Sequence, residues 1–382
     1  MRPRILLVAY PYAGTGANML RYRSLSYYLL KKNYVVDVVG YYDLKEQLPQ
    51  GIKYYQIRRH HSAIAILVFF RLFLNYLYLL ESQSFFSYIR RVGLASCTYI
   101  SVRCLLKQNE YESCLVGIHP WAFYLIIPLI KKHLRTVIDI GDPLYKNAIM
   151  LNSAHPSNFR LEQQALGAAD YVVTMNEPTI DIMTKEMGIS KDKVEFISPA
   201  MNIESYRPKE SRSFPIHNPL TIIYSGSLYQ GYRDLNEVQP AIDMIGNVIL
   251  DVFTNKYSDC KSTNCVRYHD WISHRDLLQK YQEYDVILFI DNSFGYQVPS
   301  KIFEIIAQNK PVLFVYDQRN TYFYELLKGQ MGIIFVENKR ENIVKTLKEI
   351  TSKNTLNTCY TFDMSDYSEE IVNTKIMATL TK

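Results

Sequence analysis

The feature that most constrains the fold is a repeated alternation of short apolar runs with amphipathic stretches. Apolar runs of five to eight residues are typical of buried strands, and apolar side chains every three or four residues are typical of helices. The first predicted strands cover residues 4–10, 34–41, 114–118, 136–140 and 171–175. The predicted helices between them cover residues 18–32, 121–133, 158–168 and 177–187. This order predicts a parallel sheet covered by helices.

A second series of the same kind follows a polar, proline-containing stretch, residues 205–219, whose composition is typical of a linker. Its predicted strands cover residues 220–226, 248–253, 285–290, 311–315 and 332–336, with helices near 274–283, from 300 and near 319–328. A chain of 382 residues is long for one core. The fold class predicted is therefore α/β, with two Rossmann-like, doubly wound parallel-sheet domains facing across a cleft. We place them at residues 1–204 and 205–365, with a C-terminal helix at 366–382 packing back on the first.

The cysteines and the N-terminus bear on the compartment. Six cysteines occur without any CxxC pair, so they are interpreted as reduced thiols of a cytosolic protein. The apolar run before Pro11 is too short for a secretory signal. These features predict a cytoplasmic protein.

Basic residues are concentrated in the first third of the chain. Residues 1–135 hold 18 Lys and Arg against six Asp and Glu, and they include the apolar segment Ala63–Leu80. Arg71 and Asn75 interrupt that segment, and two arginines and two histidines precede it at 58–61. A polar stripe with basic flanks favours a helix lying on an anionic membrane surface. A buried helix of the first domain and a transmembrane helix are the alternatives.

The predicted helix from Ser300 begins where the strand 285–290 has ended, and a helix N-terminus at the carboxyl end of a strand attracts phosphate. Lys301 adds positive charge there, and Glu304, one turn on, could accept hydrogen bonds from two ribose hydroxyls. The alternative is an exposed ion pair between the two side chains.

Two glycine-containing loops and one histidine complete the candidate residues. Gly226 and Ser227 follow a strand, and Arg233 is predicted at the start of the helix that follows, which suits either an anion or a plain turn with a solvated Arg. Gly14 and Gly16 follow the first strand, but without a third glycine the dinucleotide fingerprint is incomplete. The remaining candidates follow or lie in other strands of the first domain: His119, which could bond a sugar hydroxyl or be structural, Asp142, and Asp139, interpreted as structural.

The stretch PSKIFEIIAQNKPVLFV resembles the donor-nucleotide motif of GT-B glycosyltransferases of family 4, the group 1 family. The stretches TIIYSGSLYQGYRDL, TVIDIGDPLYKNA, LEQQALGAADYVVTMNEP and VEFISPAMNIESYRP resemble further segments of that family. Two positions depart from its pattern. Tyr296 stands where the family often has a second Glu near the donor sugar, and Gly141 stands where it has an Arg.

The resemblance implies retaining transfer of a sugar from a nucleotide sugar to a hydroxyl acceptor, and we take a UDP-sugar as the favoured donor. The basic first domain with its apolar segment would bring the enzyme to a membrane, so the expected acceptor is a lipid-linked saccharide or an oligosaccharide in bacterial surface polysaccharide synthesis. The resemblance assigns catalysis to His119, Arg233 and Lys301. It assigns nucleotide binding to a second set of residues: Gly14, Gly16, Gly226, Ser227, Ser300 and Glu304. No metal or other cofactor is expected, since these cations take the place of Mg²⁺ and the sequence has no DxD triplet.

The expected partners are thus the donor, the acceptor and an anionic membrane surface. Nucleic-acid binding is not expected, because the basic residues come with aliphatic runs and no recognised binding module. Two alternatives stay open. One is a nucleotide-sugar 2-epimerase, and the other is a catalytically degenerate subunit that binds nucleotide or partners an active enzyme.

Overall fold

The computed structural model describes residues 2–9, 12, 17–41, 48–57, 63–150, 152–201, 203, 204, 206–254 and 261–382. The chain divides into two compact units. The first contains Met1–Ala200 together with Asp366–Lys382, and the second contains Met201–Ser365. The sequence placed the first boundary four residues later, after residue 204.

The first unit is built on a seven-stranded sheet in which every described pairing is parallel. Its strands are β1 (Arg4–Val8), β2 (Val35–Gly40), β3 (Ile52–Gln56), β4 (Ser113–Gly117), β5 (Thr136–Ile140), β6 (Tyr171–Thr174) and β7 (Val194–Phe196). They lie in the order β3-β2-β1-β4-β5-β6-β7. The order reverses between β1 and β4, and such a switch point is where doubly wound sheets bind ligands.

The helices of this part of the chain are α1 (Ala17–Lys31), α2 (Ala63–Asn75), α3 (Phe85–Gln108), α4 (Ile127–Ile130), α5 (Pro156–Ala168) and α6 (Pro178–Asp181). Short 3₁₀ turns cover Leu77–Glu81, Trp121–Ile126 and Lys191–Lys193, and a π turn covers Ile182–Glu186. The single helix predicted over 121–133 is therefore a 3₁₀ turn followed by one α turn. Pro128, near the start of α4, has no N–H to continue a regular helix from the preceding turn.

The second unit contains a six-stranded parallel sheet in the order β11-β10-β9-β12-β13-β14. The strands of the unit are β8 (Arg212–Pro215), β9 (Leu220–Ser225), β10 (Val248–Phe253), β11 (Val266–His269), β12 (Val286–Ile290), β13 (Val312–Tyr316), β14 (Ile333–Glu337) and β15 (Thr355–Thr358). Its helices are α7 (Val238–Ile245), α8 (His274–Gln282), α9 (Lys301–Ile306), α10 (Tyr322–Leu327) and α11 (Arg340–Thr351). The strand order reverses between β9 and β12, which gives this sheet its own switch point.

The predicted linker 205–219 is more structured than its composition suggested. β8 lies within it and pairs antiparallel with β15, Arg212 facing Thr358 and Pro215 facing Thr355. The polar composition of this segment suggested a linker, because a two-stranded ribbon at a surface keeps half of its side chains in water.

The last helix, α12 (Glu369–Thr381), belongs to the first unit, after a 3₁₀ turn at Ser365–Tyr367. Val372, Ile376 and Leu380 recur at helical spacing on one face of it, and they are buried in the same apolar cluster as Ile5 and Leu25. The C-terminal helix thus fills part of the core around the first sheet.

Candidate functional site

The switch point of the second sheet gathers most of the predicted site residues. β9 ends at Ser225 and is followed by Gly226 and Ser227, while its neighbour β12 ends at Ile290 and is followed by Asp291 and Asn292. The carboxyl ends of parallel strands meet at one edge of a sheet, so these loops are neighbours. The side chains described below connect them to α8 and α9.

Lys301 reaches into this edge from the start of α9. Its Nζ donates a hydrogen bond to Ser225 Oγ over 2.9 Å. Burial lowers the pKa of Lys301, the nearby Glu304 opposes that shift, and the positive charge of Arg233 adds to it. A buried ammonium group beside a second cation is destabilised until an anion joins it, so this pair is suited to a negatively charged ligand.

Arg233 is held by Asn292 from the loop after β12. Its Nε and Nη2 both donate to Asn292 Oδ1, over 3.0 and 2.7 Å. The guanidinium also lies 6.0 Å from the centre of the Tyr229 ring, within the range of a cation–π contact. The prediction that Arg233 stands at the start of a helix is wrong, because α7 begins only at Val238. The surrounding turn is closed instead by an isolated bridge between Tyr229 and Arg233.

The glycines of this loop have different roles. Gly231 has φ of 71°, a left-handed conformation that glycine adopts without strain, and its N–H donates to Asp234 Oδ2 over 2.6 Å. Gly226 packs closely instead, since a Cβ there would lie 3.0 Å from Tyr224 Oη. The Tyr224 hydroxyl itself donates to the carbonyl of Ser227 over 3.3 Å.

Glu304 lies one turn after Lys301 and contacts a residue that the sequence did not single out. Its Oε2 is 3.0 Å from Nε2 of His274, the first residue of α8. Its Oε1 is buried and has no hydrogen-bond partner among the described residues. The bond to Glu304 raises the pKa of His274. Glu304 is therefore not simply an exposed ion-pair partner of Lys301.

Asp291 is a second residue that the sequence did not single out. Its Oδ1 accepts from the N–H of Asn292 over 2.8 Å, and its Oδ2 is buried without a partner in the described part of the chain. Burial raises the pKa of Asp291 to about 7, although the Asn292 N–H and the charge of Arg233 act in the opposite direction. The triplet DNS after an apolar run is typical of a loop, so nothing local predicted that this carboxyl would be buried.

Ser300 occupies the N-cap position of α9, but its side chain makes no capping hydrogen bond. The helix that follows has only six residues, Lys301–Ile306. The macrodipole is a sum over aligned peptide units, so a helix this short provides much less than the charge of a long one. The charge that meets an anion at this edge therefore comes mainly from the side chains of Lys301 and Arg233.

In the first unit, His119 follows β4 at the corresponding switch point and is exposed. Its N–H donates to the carbonyl of Gly117 over 3.0 Å, and its ring lies edge-on to Trp121 with ring centres 6.2 Å apart. Asp142 is also exposed. Asp139 is fully buried and accepts Nε of Arg21 over 2.9 Å, which is a structural contact. Gly14 and Gly16 lie outside the described residues.

A buried carboxyl also supports the loop that contains Asp142. Glu162 in α5 accepts hydrogen bonds from the Tyr124 hydroxyl over 2.6 Å and from the N–H groups of Leu144 and Tyr145 over 3.2 and 2.7 Å. Burial raises the pKa of Glu162 to about 7, against the three hydrogen bonds, which lower it. The family resemblance covers the segment that contains Glu162, but no role was predicted for this residue.

The segment Ala63–Leu80 forms α2 and a 3₁₀ turn, and much of its apolar surface is exposed. We give the name α2 apolar surface to these exposed side chains together with two at the start of α3: Ile64, Ile66, Leu67, Phe70, Leu74, Leu77, Phe85 and Phe86. Leu67 is 69% exposed and Phe86 83%. Only Ala65 and Leu72 of α2 are buried, so the helix is not a buried core helix. No helix in the described ranges combines the length and hydropathy that crossing a membrane requires.

No protein-family model and no curated protein matches this chain. Solved structures do match it over nearly its whole length. The Anabaena protein HepE, in complex with UDP and glucose, superposes with a TM-score of 0.66 at 11% identity, covering 99% of each chain. WaaG, a glycosyltransferase involved in lipopolysaccharide biosynthesis, gives 0.60 at 10% identity, covering 99% of this chain and 94% of WaaG.

A structure from Listeria monocytogenes assigned as a UDP-N-acetylglucosamine 2-epimerase gives a TM-score of 0.59 at 10% identity, covering 100% of this chain and 96% of its own. At such low identity these similarities establish the fold alone. The chain has the GT-B fold, with its two parallel-sheet α/β units, and the predicted fold class is confirmed.

Proposed function

We propose that this protein is a retaining glycosyltransferase that moves a sugar from a nucleotide sugar to a hydroxyl of a lipid-linked saccharide. A UDP-sugar is the favoured donor, and the acceptor belongs to surface polysaccharide synthesis at the cytoplasmic face of a bacterial membrane. The observation that carries the proposal is the group formed by Lys301, Arg233 and Glu304 at the switch point of the second sheet.

The two cations suit the diphosphate of the donor. When the bond between the anomeric carbon and the β-phosphate oxygen breaks, negative charge develops on the diphosphate while the acceptor oxygen bonds to the anomeric carbon. Lys301 is held in place by Ser225 and Arg233 by Asn292, so neither has to reorganise as the charge grows. The proton of the acceptor hydroxyl passes to the leaving phosphate. In this proposal these side chains perform the role that a metal ion has in other transferases.

Glu304 suits the ribose of the same nucleotide. Its free Oε1 is a carboxylate oxygen that still needs a hydrogen-bond donor, and a ribose hydroxyl is such a donor. Lys301 and Glu304 are neighbours on one turn of α9, which matches the short separation of diphosphate and ribose within a nucleotide. His119 is assigned to the donor sugar by the family resemblance.

The α2 apolar surface supports an acceptor that is anchored in a membrane. Ile66, Leu67, Phe70, Leu74 and Leu77 recur at helical spacing and share one side of the segment, and Arg71 is exposed beside them. An apolar helix side with basic neighbours is the pattern of a segment that lies in the headgroup region of an anionic bilayer. The enzyme would then meet its lipid-linked acceptor at the surface where that acceptor resides.

Nucleotide binding is tested by thermal shift with UDP, GDP, ADP and CMP. We expect one nucleoside diphosphate, UDP in the favoured case, to raise the melting temperature of the wild type, because a ligand that binds only the folded state stabilises it. Lys301→Ala should lose most of the shift. Lys280→Ala removes an exposed lysine of α8 paired with Glu283 and should keep it. The donor assignment fails if none of the four nucleotides stabilises the wild type.

Turnover separates the proposal from its two alternatives. We expect slow hydrolysis of the cognate nucleotide sugar without acceptor, and His119→Ala should reduce its rate about 100-fold, since misplacing a positioning group costs this much. The same substitution should leave diphosphate binding nearly intact. A new nucleotide sugar as product would identify an epimerase. A degenerate subunit would bind the diphosphate but show neither hydrolysis of UDP-, GDP- and ADP-sugars nor transfer from them to lipid-linked acceptors. That outcome would be consistent with Tyr296 in place of a Glu.

Membrane binding is tested by sedimentation with anionic and neutral vesicles. The wild type should bind anionic vesicles at low salt and dissociate as salt is raised, because screening weakens the basic contribution. Leu67→Glu should reduce binding more than tenfold, because it removes an apolar side chain that enters the bilayer surface on binding and adds a charge that anionic lipids repel. Met244→Glu is the matched control, since Met244 is also 69% exposed but lies in the second unit. Equal binding of both variants would contradict the assignment.

A further inference from the structure

The contact between His274 and Glu304 fixes the orientation of a carboxylate in the nucleotide site. A carboxylate can accept hydrogen bonds from both ribose hydroxyls, which is what the sequence suggested for Glu304. In the structure Oε2 is 3.0 Å from His274 Nε2, and Oε1 is without a partner among the described residues. The histidine therefore sets the orientation in which the carboxylate meets a ligand.

We propose that His274 is a positioning residue of the nucleotide site, which holds Oε2 of Glu304 so that the carboxylate is oriented to receive the ribose. This inference rests on the proposed function, because it takes the ligand of Glu304 to be a nucleoside diphosphate. It adds a residue to the site and predicts that recognition of the ribose depends on that residue.

The fold fixes His274 in this position. α8 starts at His274 because Ser273 caps it, the Ser273 hydroxyl accepting the N–H of Asp276 over 3.1 Å. Leu277 and Tyr281, one and two turns on, are buried and anchor the helix to the sheet. The imidazole thus projects from an anchored first turn, and it remains partly exposed at the edge where a ligand would arrive.

The charges around the pair favour the same arrangement. Glu304 and Lys301 face His274 from α9, and Tyr281 of its own helix lies near Glu304. To donate to the carboxylate, Nε2 must carry the proton, and the carboxylate favours that state. Lys301 is turned toward Ser225, so its ammonium group does not occupy the free oxygen of Glu304. The histidine thus holds the carboxylate of Glu304 while leaving it available to the ligand.

The experiment measures binding of UDP, 2′-deoxy-UDP, 3′-deoxy-UDP and inorganic pyrophosphate to the wild type and three variants by calorimetry. In the wild type we expect at least one deoxy analogue to bind about tenfold or more weakly than UDP, because a hydrogen bond to a charged acceptor is lost. In His274→Ala this penalty should fall to about threefold or less, because Glu304 is no longer held in place.

His274→Gln and His274→Asn separate positioning from a general effect on folding. The Gln amide can place an N–H near the position of Nε2, so this variant should restore most of the selectivity, whereas the shorter Asn should not. Pyrophosphate, which needs only Lys301 and Arg233, should bind all four proteins within about twofold of each other, since no contact to it is removed. A structural role would instead change pyrophosphate binding and show no rescue by Gln.

Two further outcomes keep this inference distinct from the proposed function. If UDP binds the wild type but neither deoxy analogue loses affinity, or His274→Ala keeps full selectivity, the role of His274 is refuted and the nucleotide site stands. If neither UDP nor pyrophosphate binds the wild type, the nucleotide site is refuted and the role of His274 with it.

Discussion

Glu162 in the first unit and Asp291 in the second are both buried carboxyl groups, and their hydrogen bonding is very different. Each supports or belongs to a loop at the carboxyl end of its sheet, and burial raises the pKa of each to about 7. Glu162 accepts three hydrogen bonds on its two oxygens. Asp291 accepts one, and its Oδ2 has no partner among the described residues.

The difference separates a structural carboxyl from one that is available to a ligand. Buried polar atoms in folded proteins are nearly always bonded, so an unpartnered one calls for an explanation. Both oxygens of Glu162 receive hydrogen bonds, two from the loop that it holds and one from Tyr124. At the switch point of the second sheet, Asp291 Oδ2 and Glu304 Oε1 both lack partners in the described ranges. That edge bears costs to stability that the proposed nucleotide would offset.

The same acid-to-amide change at the two positions should have different effects on stability. Glu162→Gln places an amide NH₂ where one of three donors now points, so at least one donor, such as the Tyr145 N–H, loses its acceptor. We expect the free energy of unfolding at pH 5 to fall by about 2 to 3 kcal/mol, the cost of a buried unsatisfied donor, because a pKa of about 7 keeps Glu162 protonated at this pH and the substitution then removes no buried charge. Urea unfolding monitored by circular dichroism measures it.

The control for this change is Asp181→Asn, which breaks an exposed pair with Lys185 and should cost less than about 0.5 kcal/mol. A Glu162→Gln protein as stable as the wild type would show that the three contacts to Glu162 do not hold the loop, and the contrast with Asp291 would disappear.

Asp291→Asn should instead stabilise the protein at alkaline pH. The folded-state pKa of about 7 lies above the ordinary value of 3.8, so the folded protein binds more protons than the unfolded chain between these values. This contribution to stability is complete below about pH 4 and is lost as pH rises through 7, by up to about 4 kcal/mol. The Asn amide avoids the charge but has its own unbonded N–H, so we expect a net gain of about 2 kcal/mol at pH 8.

Unfolding measured at pH 5 and pH 8 tests this sign. The difference between Asp291→Asn and the wild type should grow with pH, whereas Asp181→Asn should show no such trend. A variant that is less stable than the wild type at pH 8 would mean that Asp291 is satisfied by something in the folded protein.

The sequence predicted the centres of the two sheets well and their edges poorly. β5 and β10 begin and end where the apolar runs do, because both faces of a central parallel strand are buried. Of the four edge strands of the two parallel sheets, β14 was predicted, and β3, β7 and β11 were not. They have sequences such as IKYYQ and VRYH, in which polar side chains face water and the apolar run is broken.

The site was predicted where one segment carries both chemistry and position. Lys301 and Glu304 share a helical turn, so their spacing left open an ion pair or a nucleotide site, and the family resemblance favoured the second. His274 is 30 residues from Glu304, and Asp291 is followed by residues typical of a loop. Their roles depend on how α8 packs against α9 and on burial, which a single sequence does not show. The only sequence signal for His274 was its position as the first residue of a predicted helix.

The smallest expected effect on stability concerns Lys301, and it asks whether this edge is built for a ligand rather than for the fold. Lys301→Met keeps a side chain of similar length and removes a buried ammonium group whose pKa burial lowers. The change loses the bond to Ser225 and leaves Glu304 with His274, but it also removes the desolvation cost of the charge and its repulsion by Arg233. These terms nearly cancel, so the free energy of unfolding should stay within about 1 kcal/mol of the wild type. The thermal shift given by the preferred nucleoside diphosphate should be lost in the same protein.

Ser225→Ala, which leaves the charge of Lys301 and removes its hydrogen-bond partner, should weaken nucleotide binding less than Lys301→Met. If Lys301→Met unfolds as readily as Glu162→Gln, Lys301 belongs with the structural groups, and the contrast between the two sheet edges would rest on Asp291 and Glu304 alone.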